Sequence, residues 1–263
     1  MAQGPEPPDR DAMPSEAELL SLLTSAEEEE LTPYEDRLAG AELVPETPTP
    51  GEIVTRTHRE DLDLTTWELS TGIKVILKST DFKRDEVLMS AWSPGGMNTA
   101  SPQEWVAAKT AVAVAGETGM GEFSIVELGK LLAGKRVELS PFLDMDREGL
   151  SGRASPEDLE TLFKLIHLRF TTVREDVDAF QVLQNRLRES IRNRDSDPKQ
   201  VFRDIVSATL TNYHPRLLPM TLEEVEAMDQ TASLNFFAER FSNAGDFTFF
   251  LVGNLEADQL EPL

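Results

Sequence analysis

Metal and hydrolytic chemistry runs largely on imidazole, thiolate and paired carboxylates, and this chain of 263 residues holds 3 His, no Cys and 48 Asp plus Glu. The absence of Cys removes disulfides, thiolate metal sites and Cys nucleophiles. A hydrolytic zinc helix needs two His one turn apart, so that both imidazoles face one ion, and a carboxylate to polarise water. His58, His167 and His214 are too far apart in sequence to make that pair. His58 sits in an extended Thr/Arg-rich segment and reads as exposed. His167, beside Ile166, reads as a flanking or partly buried helix residue, and His214, before Pro215, as a loop residue in solvent or in a turn hydrogen bond. Asp144, Asp146 and Glu148 alternate and share a face only in extended chain. Burial can split the pKa values of such acids for acid–base work, but a solvated strand edge or turn is the simpler reading where acids are so frequent. Gly116-Glu117-Thr118-Gly119-Met120-Gly121 has the look of a phosphate loop, yet it follows a helix and lacks the Gly-Lys-Ser/Thr ending. Helix C-capping accounts for it better. Ser93-Pro94-Gly95-Gly96 has no nucleophile-elbow pattern, and Ser140 and Ser151 have no adjacent base. Residue chemistry therefore gives no catalytic, cofactor-binding or metal-ligating set.

The elements that would carry these residues read as strands, then helices, then a strand. Trp67–Ser70 and Lys74–Lys78 flank Thr71-Gly72 and predict a hairpin. A strand over about Glu86–Trp92 follows, broken by the Ser93–Gly96 run. Ser101, Pro102 and Glu104 open a helix that runs to about Glu117, with Gly116, Gly119 and Gly121 ending it. Ser124 and Glu127 cap a second helix that stops near Gly134, and strands follow at about Lys135–Ser140 and Arg147–Gly152. A third helix opens at Ser155 with Leu159, Leu162, Phe163, Ile166 and Phe170 as one buried stripe. A fourth carries Val177, Phe180, Leu183, Leu187 and Ile191. The fifth starts at Asp197-Pro198 with Val201, Phe202, Ile205 and Val206, and the sixth runs from Thr221 to about Phe241. Phe247–Val252 is the strongest strand signal. Segments in blocks predict an α+β domain, an antiparallel or mixed sheet of about five to six strands with several helices packed against it. The last ten residues start another helix, which suggests a domain cut short at its C-terminal end.

Charge divides the chain. Residues 1–61 hold 16 acidic and 4 basic side chains, a net of −12, and the other 202 hold 32 and 21, a net of −11, giving −23 in all. Eight of the 16 prolines precede residue 51. Residues 1–61 read as an acidic, Pro-rich linker. It carries one short helix over about Pro14–Glu30, where Ser15 and Glu18 make a capping box ahead of Leu19, Leu20, Leu22 and Leu23. That helix has an apolar face to pack on a neighbour. The Glu27–Glu30 run reads as a solvated face, and Thr32–Pro50 as an extended connector. Strong net acidity argues against nucleic acid and against an anionic membrane. No apolar run reaches a membrane span, and the start has no apolar core of a secretory signal.

The ordered segments resemble the insulinase (pitrilysin) family of zinc peptidases. The residues that carry the resemblance are Trp67–Lys78, Val87–Gly96, Leu131–Lys135, Glu148–Ser155 and Phe249–Leu255, over about residues 62–263. The lead-in resembles the linker joining the two halves of long bacterial members. The resemblance implies a His-x-x-Glu-His motif on the helix after the Gly-Gly strand of a catalytic domain. Here that helix reads Ala107-Ala108-Lys109-Thr110-Ala111-Val112-Ala113-Val114-Ala115-Gly116-Glu117, without any His. No metal ligand carries over. The implied chain is then an inactive repeat, the third of four related domains, with no catalytic, cofactor-binding or metal residue of its own. It would form a chamber wall and a substrate-enclosing and packing surface for peptide hydrolysis done by another, zinc-bearing domain. Implied partners are the other domains of the same polypeptide and the peptide substrate, in a periplasmic or exported parent. The alternative is a stand-alone inactive scaffold subunit that binds a protein partner.

Overall fold

The computed structural model describes residues 15–28, 38, 40–46 and 48–262. Residues 1–14, 29–37, 39, 47 and 263 lie outside them, including Glu29-Glu30 and part of the expected Pro-rich connector. The chain divides into two units, residues 1–40 and 41–263. The first holds helix α1, Glu16–Glu28. Its expected capping box forms: the Ser15 N–H donates to Glu18 Oε2 at 2.7 Å and the Glu18 N–H to Ser15 Oγ at 3.3 Å.

In the second unit the predicted hairpin is present. Strand β2 (Leu64–Leu69) and strand β3 (Lys74–Ser79) pair antiparallel around Gly72, whose φ of +88° suits a residue without a side chain. Strand β1 (Ile53–Arg59) precedes them and pairs with β2, so the sheet has seven strands among the described residues instead of five to six. It was missed because a lone edge strand of Thr, Arg and His buries almost nothing and shows no alternation. Strands β4 (Val87–Pro94), β5 (Val137–Leu143), β6 (Arg147–Ala154) and β7 (Thr248–Gly253) complete the order β1-β2-β3-β7-β4-β6-β5. The last strand fills the centre. It lies parallel to β3 and antiparallel to β4, so Leu77, Leu251 and Met89 stand abreast.

Helix α2 (Trp105–Glu117) begins one turn later than expected, because the Ser101/Glu104 box closes a turn ahead of it. Gly116 stays inside the helix. The end comes at Thr118 and Gly119, where φ is +96° and a Cβ would stand 2.1 Å from the Phe123 carbonyl. Helix α3 (Ile125–Leu131) carries the expected Ser124/Glu127 box. Helix α4 (Leu159–Thr171) and helix α5 (Val177–Asn193) follow. The buried stripe of α4 is as read at Leu159, Leu162 and Ile166, with Phe163 and Phe170 half-buried. On α5, Leu183 is buried while Val177 is exposed. On helix α6 (Pro198–Leu210) Val201 is half-buried, while Phe202, Ile205 and Val206 face solvent. The single helix expected over 221–241 is two, α7 (Leu222–Glu226) and α8 (Gln230–Arg240). The break is a new N-cap: the Asp229 carboxylate accepts the Ala232 N–H at 2.7 Å. Helix α9 (Ala257–Leu260) is a single turn.

Helices of the second unit pack on the sheet, where Leu77, Met89, Ala91, Leu150, Phe249 and Leu251 are buried in one cluster with residues of α2, α4 and α8. An aromatic cluster binds α4, α8 and β7: Phe237 stacks on Phe241 with centroids 4.4 Å apart, and Phe170 meets Phe247 edge-on at 4.9 Å.

Candidate functional site

Helix α2, the one that the resemblance would make a metal helix, turns Ala108, Thr110, Ala111, Val114 and Ala115 into the core. It packs chiefly along α8. The sole hydroxyl on that face is engaged: Thr110 Oγ1 lies 2.7 Å from the Val106 carbonyl and 2.9 Å from Ser233 Oγ of α8. Small apolar side chains and one saturated hydroxyl do not fit a zinc ion, which needs imidazole, thiolate or carboxylate. At the end of the helix, Glu117 is ion-paired with Arg186. Two arginines take the terminal carbonyls: Arg169 Nη1 donates to Ala115 O at 2.9 Å and Arg174 Nη1 to Thr118 O at 2.8 Å. Arg169 is buried against the Phe237 ring, and burial lowers its pKa to about 10.

The histidines stand on three separate elements. On β1, exposed His58 meets Thr65 Oγ1 through Nδ1 at 3.2 Å. His167 is half-buried on α4. His214 caps the Pro215–Leu217 turn, its Nδ1 accepting the Arg216 N–H at 3.3 Å. Among the described residues no group of three His, Asp or Glu could hold a metal ion.

The alternating acids do not behave alike. Asp144 and Asp146 are exposed in the β5–β6 turn, Asp144 paired with Arg147 at 3.0 Å. Glu148 departs from the solvated reading: it is 3% exposed, and its carboxylate accepts the Gly96 N–H. Burial raises its pKa, against the opposing pull of that N–H and of Arg240. The Gly95-Gly96 corner and the Glu148 strand, read separately in sequence, are one structure.

The other face of the sheet is exposed along β4. Strand β4 alternates strictly between buried and exposed, and its exposed set is Leu88, Ser90, Trp92 and Pro94. Register places Leu88 beside Val252, and Ser90 beside Ser151, which in turn faces Ser140. The two serines lacking a base are thus a hydroxyl row on an open, partly apolar sheet face, with Leu88, Trp92 and Val252 exposed. This surface could hold an extended peptide through apolar and hydroxyl contacts. The only sequence signal for it is an apolar residue at both parities of β4.

No family model matches the chain. The seven-stranded mixed sheet and its helices make an α+β domain, and its sequence relatives are named as zinc proteases. The chain is 28% identical over 247 residues to the zinc protease PQQL-like protein of Arabidopsis thaliana, covering 93% of this chain and 23% of that protein. It is 25% identical over 209 residues to the probable zinc protease PqqL of Haemophilus influenzae, covering 76% of this chain and 22% of that one. In structure it matches the periplasmic protease PqqL of Escherichia coli with a TM-score of 0.69 at 24% identity, over 95% of this chain and 27% of that one. A ferredoxin protease, FusC, solved with Arabidopsis ferredoxin, gives 0.67 at 20%. The chain is a homologue of zinc proteases of the insulinase (pitrilysin) family. It spans about a quarter of the length of the relatives that it matches.

Proposed function

We propose that this chain is a non-catalytic domain, the third of four, of a larger zinc metalloendopeptidase. Its role is to form part of the chamber wall that encloses peptide while another domain, which holds zinc, cuts it. The observation that carries this reading is α2: the helix corresponding to the metal helix is seated against α8 by Ala, Val and one bonded Thr, without an imidazole. The share of the relatives that the chain spans, and their names as zinc proteases, support a larger parent. The acidic lead-in tethers the domain to the preceding half. The open sheet face around Leu88, Trp92 and Val252 is the wall surface. The parent is exported, as its Escherichia coli neighbour is a periplasmic protease. Among the described residues no helix is long and apolar enough to cross a membrane.

The test is metal analysis and peptide cleavage on this chain beside its full-length parent. Zinc and chelator-sensitive cleavage are expected in the parent alone. One zinc per chain here, with cleavage that a chelator abolishes, overturns the reading.

A further inference from the structure

We infer that the outward face of α6 seats this chain against another domain of the longer polypeptide, one that presents an apolar strip edged with carboxylates. The inference rests on the reading of the chain as one domain of a larger protein.

Helix α6 is amphipathic the wrong way round for water. Its inward side is half polar: Asp204 Oδ2 lies 3.7 Å from Arg194 Nε, Asp204 Oδ1 accepts from Gln200 Nε2 at 2.7 Å, and only half-buried Val201 and buried Ala208 are apolar there. At 100° per residue, Phe202, Val206 and Leu210 project on the opposite side. Phe202 is 68% exposed, Leu210 81% and the adjoining Ile205 57%, and exposed Tyr213 follows within a turn. Singly exposed apolar side chains are ordinary, but a contiguous stripe on a well-formed helix marks an interface.

Two observations say what covers it. The chain spans 23% of one relative and 22% of another, so most of a homologous polypeptide lies outside it and is available as neighbour. The charge on α6 also runs against the rest of the chain: Lys199 and Arg203 against Asp204, 2 − 1 = +1, within a chain of −23. Lys199 and Arg203 lie on the outward side, and neither has an ion-pair partner among the described residues. A two-fold contact between copies through this face would set those cations against themselves. An acidic, apolar surface on a different domain satisfies both the stripe and the charge.

Hydrogen exchange on this chain and on the full-length polypeptide tests the inference. Amides of residues 202–213 are expected to exchange about tenfold or more slowly in the longer protein, as local opening is suppressed. Phe202→Asp with Leu210→Asp should leave the melting of the 263-residue chain unchanged and abolish the protection. Lys199→Glu with Arg203→Glu should reduce it, most at low salt. Equal exchange in a long polypeptide overturns the inference alone. Protection arising from dimers of the short chain overturns it in favour of a second copy. A native polypeptide no longer than this chain overturns both the inference and the domain reading beneath it.

Discussion

The buried carboxylate of Glu148 on β6 accepts the backbone N–H of Gly96 at the end of β4, joining residues 52 positions apart. A Cβ at Gly96 would stand 2.5 Å from the Arg147 nitrogen and 2.6 Å from the Asp144 carbonyl, with φ at +71°. At Gly95 a Cβ would meet the carboxylate tip at 2.7 Å. Backbone cannot yield as a side chain can. Gly96→Ala is therefore expected to cost about 3 kcal/mol or more, and Gly95→Ala less, in urea unfolding. Equal costs would show that the carboxylate is as fixed as the backbone.

Glu148 also sets a pH dependence. Its pKa is raised by burial above the ordinary 4.5, so the folded chain holds the proton longer than the unfolded one. Stability from this group is then lost as pH rises from about 4.5 through the raised value. Glu148→Gln should flatten that part of the stability curve while keeping an acceptor for Gly96. A slope equal to that of the unsubstituted chain over pH 4.5–7 would sink the assignment.

Lys109 of α2 reaches Glu224 of α7, Nζ to Oε2 2.9 Å and to Oε1 3.0 Å, in a mostly buried setting. The same carboxylate accepts the Thr221 N–H that starts α7. Lys109→Met leaves this acid with less compensation and should cost about 1–3 kcal/mol. Adding Glu224→Gln should recover part of the loss. Additive losses in thermal melts would mean that the two groups do not depend on each other.

Besides a longer 3.3 Å approach of Thr110 Oγ1 to Ala107 O, Thr110 and Ser233 share two hydroxyl hydrogens among three contacts, since Thr110 Oγ1 also reaches Val106 O and Ser233 Oγ reaches Asp229 O, each at 2.7 Å. One contact is always short of a proton. The double variant Thr110→Val/Ser233→Ala should therefore lose less than the two single variants together, with a coupling of about 0.5–1 kcal/mol in denaturant midpoints. Zero coupling would place the α2–α8 seam on packing alone.

Trp92 lies on the open sheet face, and Trp92→Ser should change the stability of this chain by less than about 1 kcal/mol. In the parent protease it should raise KM for peptide more than it lowers kcat, because only retention is weakened. An unchanged KM would remove this face from the wall.

Local chemistry made much of the fold legible. The box at Ser124 and Glu127, the hairpin at Gly72 and the core stripe of α4 depend on near neighbours, and each forms as read. The break at Asp229 was hidden, since a helical pattern continues across it and a competing cap decides. So was the orientation of α6, because periodicity gives a stripe but not the side on which the protein lies.

Residue types alone determined that α2 has no imidazole, that no thiolate exists and that the chain is acidic. Only the tertiary structure decided that β7, the last strand, lies between β3 and β4, that Glu148 is buried under Gly96, and that one sheet face stays open. The physical reason is range. Capping and periodicity act over a few residues, whereas burial and cross-strand contact are set by segments far apart in the chain, whose pairing no local pattern records.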